Sequence, residues 1–165
     1  MELLKIIIFE YLLGYCLQGF TIVLGIFAFN RRKITLKSYV LTSLLATIII
    51  YCVRLLPISF GVHTIINMLL LIVICIIVLK MPAYTTIRSV LLVIVLLLIC
   101  EMVNVAIMIQ IIGNVKFESM MLIPLEKAII GAPGSILFTL ILTLTYIVLN
   151  NPKKKNGEKI GKFSV

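Results

Sequence analysis

The stretch Ile87–Ile112, IRSVLLVIVLLLICEMVNVAIMIQII, decides the fold class. From Val90 to Cys100 it carries no polar side chain at all. With its flanks it exceeds the about 20 apolar residues that cross about 30 Å of hydrocarbon. Four further runs of similar character surround it, at 6–29, 38–56, 62–79 and 128–149. None shows the alternation of about ten residues that a membrane β-barrel strand requires. The spacing predicts an all-α membrane protein, a bundle of five transmembrane helices over 1–150, followed by a basic tail at 151–165.

Composition supports the same reading. The chain has 165 residues, 62% hydrophobic and 13% charged, with a mean hydropathy of +1.26. Soluble domains are nearer half apolar and a quarter charged, so a soluble enzyme or a secreted disulfide scaffold is a poor fit. The net charge of +9 would suit nucleic acid, but the cations lie between apolar runs, as membrane topology demands. No nucleic-acid partner is expected. The bilayer is.

Orientation follows from the short connections. Arg31, Arg32, Lys33 and Lys37 lie between the first two runs, and Lys80 and Arg88 between the third and fourth. Lys153, Lys154, Lys155, Lys159 and Lys162 follow the fifth. The opposite side carries Lys5, Arg54, Lys116 and Lys127, with Glu2, Glu118 and Glu126 nearby. The bias predicts an outer N-terminus, a cytoplasmic C-terminus and a multi-pass protein of the cell membrane. Glu10 interrupts the first run and no small-residue cleavage site follows, so that run is retained as structure rather than a signal peptide. Near the outer end of the fifth run stand Gly131, Pro133 and Gly134. Either that helix begins at Ala132 or Pro133, with 117–130 dipping into the interface, or a longer helix is kinked at Pro133. The polar tail reads as disordered.

Polar residues fall on narrow helical faces. Glu10, Gly14, Gln18, Thr21 and Gly25 share one, and Ser43, Thr47, Tyr51 and Arg54 another. His63 and Asn67 are four apart, Glu101 and Asn104 three apart, and Ser135, Thr139, Thr143 and Tyr146 follow the same rule. Such faces point into the bundle, where the hydroxyls are accounted for by interhelical packing. An ionised group at mid-span costs about 2.5–3.5 kcal/mol on insertion scales, which makes Glu10, Arg54 and Glu101 harder to dismiss. They and His63 all belong to the outer half of the bilayer. A polar cluster of Glu10, Gln18, Arg54, His63, Asn67, Glu101 and Asn104 is expected there, with Arg54 paired to Glu10 or to Glu101. It is either a purely structural pair or a ligand or ion site.

Catalytic chemistry has little to work with. The sequence has no Asp, one His, no H-E-x-x-H motif and no phosphate-binding glycine loop. Cys16, Cys52, Cys75 and Cys100 fall singly in four different runs. No catalytic residue, metal or cofactor is expected.

The most distinctive string is Arg54-Leu55-Leu56-Pro57-Ile58-Ser59-Phe60-Gly61-Val62-His63-Thr64. Pro57 ends one helix, Gly61 permits a tight reversal and Phe60 can anchor the turn at the interface. The string resembles the R-x-L-P-x-x-F-G-x-H-T turn in the N-terminal multi-span membrane region of sensor histidine kinases of Gram-positive spore-forming bacteria. An early acidic residue (Glu10), a basic first inner loop and small residues opening the last run (Ile130 to Pro133) extend the resemblance over about 1–150. The kinase part of such proteins has no counterpart in this sequence. The resemblance therefore implies a detached sensor module or a free-standing relative, and transfers no catalytic residue. It predicts a membrane sensor or signal-transduction module, partnered by a histidine kinase or other signalling protein, or by a second copy of itself. The alternatives are a small transporter or channel subunit with an intramembrane polar path, and a structural membrane factor without a small ligand.

Overall fold

The computed structural model describes residues 14–56 and 60–150. Glu10, Pro57 and the tail from 151 lie outside the described residues, as do the N-terminal part of the first run and the Arg54 side chain. Among the described residues there are six helices: α1 (Leu17–Phe29), α2 (Leu36–Arg54), α3 (Phe60–Ile77), α4 (Ala83–Ile112), α5 (Asn114–Met121) and α6 (Pro124–Asn150). A wide π-type turn at 14–16 leads into α1. Three helices are long and apolar enough to cross a membrane, over Leu36–Val53, Ala83–Ile112 and Leu125–Asn150. Gly14–Phe29 and Val62–Ile77 are shorter apolar helices.

Helix boundaries follow local chemistry. Pro82 precedes α4 with extended backbone, and its carbonyl accepts from the Thr85 and Thr86 hydroxyls and the Thr86 N–H. The helix thus starts at Ala83, ahead of the expected 87, because hydropathy alone passes over the polar turn of Tyr84, Thr85 and Thr86. At the other end Gly113, at φ +86°, breaks the chain away from α4. The short α5 that follows buries none of its residues.

The two alternatives for the last run resolve in favour of the longer helix. Pro124 takes the first helical turn with Glu126 beside it, a start signal of proline plus acid. Pro133 then sits inside α6.

The core forms around α1. This helix packs against α2, α4 and α6, while α3 closes the far side by packing on α2 and α4. None of its residues is exposed, and Gly19, Thr21, Ile22, Val23 and Gly25–Ala28 are buried. Neighbouring helices approach closely. A Cβ on Gly19 would collide with Thr47 Oγ1 and lie 3.1 Å from the Thr47 backbone. On Gly25 it would stand 2.7 Å from Val93 Cγ2 and 2.9 Å from Leu142 Cδ1. Small residues at such crossings are the usual means by which apolar helices pack without a hydrophobic drive between them. Tyr15 stacks edge-on against Tyr51, and Phe20 and Phe27 against Tyr39, so α1 and α2 run antiparallel. Thr21 and Thr139 share a 2.9 Å hydrogen bond, and with the Gly25–Leu142 approach they set α1 and α6 parallel.

The outside of the bundle is apolar. Leu41, Leu44, Ile48, Leu69, Val73, Leu91, Val95, Leu140 and Leu144 are all exposed. A contiguous surface of this kind fits acyl chains rather than water, and by composition the chain is a membrane protein.

Candidate functional site

The end of the bundle that holds the α2–α3 connection carries most of the candidate residues. Arg54 closes α2, and Phe60 and Gly61 open α3. Three residues on, His63 Nδ1 lies 2.9 Å from the Val53 carbonyl oxygen. That oxygen can only accept, so Nδ1 is the donor in this bond and Nε2 is left for another partner. The bond pins α3 to the last turn of α2, where the Val53 carbonyl also accepts from the Leu56 N–H over 3.2 Å.

One turn deeper, Asn67 Oδ1 is buried and has no hydrogen-bond partner among the described residues. Leu71 and Cys75 continue the same stripe, both buried. Asn67 therefore lies between the polar hairpin and the apolar interior, with an acceptor that nothing among the described residues satisfies. An unsatisfied buried polar atom costs about 1–3 kcal/mol, a penalty that needs a reason.

Asn104 belongs to a different seam. It is 8% exposed and its Nδ2 donates to the Ile130 carbonyl on α6 over 2.9 Å. Gly134 makes room, since a Cβ there would stand 3.1 Å from Asn104 Cβ. Pro133 has no N–H to return to the Ile129 carbonyl, and the Asn104 amide supplies a donor to the carbonyl next to it. α3 and α6 do not touch, so His63 and Asn67 stand on one seam and Asn104 on another. Glu101 is half-buried on α4, one turn before Asn104, and Gln18 is half-buried at the start of α1. Among the described members of the expected cluster, His63 and Asn67 thus lie one turn apart on α3, while Asn104 donates to α6.

Several polar contacts were not singled out by the sequence. Asn30 Nδ2 bridges the Ile26 carbonyl and Ser89 Oγ at 2.9 Å each. Arg32 Nη1 donates to the Leu79 carbonyl over 2.6 Å. Tyr39 donates to the Phe20 carbonyl over 3.0 Å. Each joins elements distant in sequence, and only the Asn30 position, directly after an apolar run, hints at a capping role. Among the described residues no three His, Cys, Asp or Glu side chains could together hold a metal ion.

Comparison with family models, curated proteins and solved structures finds no match for this chain.

Proposed function

We propose that this chain is an integral membrane signal-transduction module that meets a small ligand at its α2–α3 hairpin. In this reading α1, α2, α3, α4 and α6 are five crossings, with the hairpin outside and the basic loops in the cytoplasm. The observation that carries it is Asn67 Oδ1, a buried acceptor without a partner among the described residues, one helical turn beneath His63. That acceptor suits a ligand that brings N–H or O–H donors, such as a peptide backbone. The resemblance of residues 54–64 to the turn of kinase sensor regions favours the same place.

Signal transfer requires that the ligand bind one arrangement of helices better than another. The hairpin offers such an arrangement, because a single His63–Val53 bond is its described polar tie. From α2 a shift passes to α1, and from α1 to α4 and α6, which α1 touches directly. The receiving protein is a histidine kinase or another signalling partner.

The test is transcript profiling of the native host with the chain deleted, complemented by wild type or by Asn67→Leu. A module of this kind alters a compact set of genes, and Asn67→Leu, expressed at wild-type level, fails to restore them. Full complementation by Asn67→Leu removes the hairpin as the sensing site. Solute uptake by proteoliposomes of the purified chain, lost in Glu101→Gln, establishes transport instead and overturns the signalling role.

A further inference from the structure

The opposite end of the bundle carries a charge that no acidic side chain among the described residues balances. Arg31, Arg32, Lys33, Lys37, Lys80 and Arg88 are all exposed there. Two bonds make them one patch: Arg32 Nη1 ties the α1–α2 loop to Leu79 of the α3–α4 loop, and Asn30 ties it to Ser89. No acidic residue occurs anywhere between Glu10 and Glu101 in the sequence.

The placement of these cations is costly to the fold at both kinds of helix end. Arg31 follows α1 at φ +50°, and its N–H and that of Arg32 close the helix onto Ala28 and Phe27 in a Schellman arrangement. Lys80 follows α3 at φ +48°. Glycine is the residue these left-handed positions favour. The helix dipole repays some of this, since a cation suits a C-terminus. It works the other way for Lys37 and Arg88. They lie in the first two turns of α2 and α4, whose N-termini have neither an acidic residue nor a side-chain cap. Cations beside an already positive helix end repel it. All these placements become favourable together when an anion covers the patch.

We propose that this face binds the phosphates of anionic phospholipid headgroups, which bridge the α1–α2 and α3–α4 loops. A patch at the end of apolar helices lies at headgroup level, and the anion nearest to it is the lipid's own. Arg32 gives one donor to Leu79 and keeps the rest of its guanidinium fork for phosphate. Tyr84, 78% exposed beside Arg88, suits the same depth. The inference rests on the membrane reading and not on the sensor role.

The experiment reconstitutes the full chain in nanodiscs of mixed phosphatidylglycerol and phosphatidylcholine. Native mass spectrometry then counts retained lipids, and thermal unfolding is compared with pure phosphatidylcholine discs. Arg31→Gly/Lys80→Gly is set against Lys116→Gln/Lys127→Gln, which removes the same charge from the other end. Glycine fits both left-handed positions, so the first variant keeps its fold. Wild type should retain phosphatidylglycerol selectively and unfold at higher temperature with it. Surface cations are each worth about fivefold in affinity for an anionic membrane, so Arg31→Gly/Lys80→Gly should lower the preference by roughly tenfold or more. Lys116→Gln/Lys127→Gln should leave it unchanged. Inorganic phosphate added to phosphatidylcholine discs should not replace the lipid; if it does, the face is a site for free phosphate. Equal retention by both variants, or no lipid preference in wild type, overturns the proposal. A chain that does not enter bilayers at all overturns the membrane reading and this inference with it.

Discussion

Asn67 separates stability from purpose within one side chain. Its Oδ1 is buried and without a partner among the described residues, so replacing it with leucine removes a desolvated acceptor and adds apolar contact. Thermal unfolding of the purified chain should show Asn67→Leu at least as stable as wild type, by up to about 1–3 kcal/mol. Destabilisation by that amount would mean that the amide is structural. The sequence revealed Asn67 because four-residue spacing from His63 puts both on one stripe. It could not reveal that Asn104, equally polar and equally regular, turns toward a carbonyl on α6. Which neighbour a polar residue meets depends on helix rotation and on the partner helix, and neither is encoded in local spacing.

At the scale of elements, α4 and α6 form a unit whose irregularity is shared. Pro133 interrupts α6, and Asn104 on α4 donates to the carbonyl beside the gap. A double-mutant cycle checks this dependence. Asn104→Ala alone should cost about 1 kcal/mol, within the range of interhelical hydrogen bonds in membranes. In a Pro133→Ala background the Ile129 carbonyl regains an N–H and the turn beside Ile130 is regular, and the Asn104→Ala cost should fall by half or more. Additive costs would show that the two residues act independently. Helix interiors were legible from apolar runs alone, whereas ends were not. α4 begins in a polar turn held by Pro82, and α6 begins at Pro124 with Glu126, both signals that hydropathy smooths away.

For the whole molecule, alternation of helix direction puts the α1–α2 and α3–α4 loops at one end and α5 at the other. Single cysteines in a background lacking Cys16, Cys52, Cys75 and Cys100 test this with a membrane-impermeant thiol reagent. Lys33→Cys and Lys80→Cys should label from one side of the membrane and Glu118→Cys from the other. Labelling of all three from one side would break the up-and-down arrangement. The all-helical class and this alternation follow from run lengths, because hydrocarbon thickness is a ruler the sequence must match. The centrality of α1 does not, since five apolar runs of similar strength do not say which one the others surround. That centrality has a consequence for biosynthesis. α1 lies parallel to α6, and Thr21 waits for Thr139 to be translated before its hydroxyl gains that partner. Until then the α1–α2 hairpin must shelter that seam by itself, so this packing is completed only when α6 docks against α1.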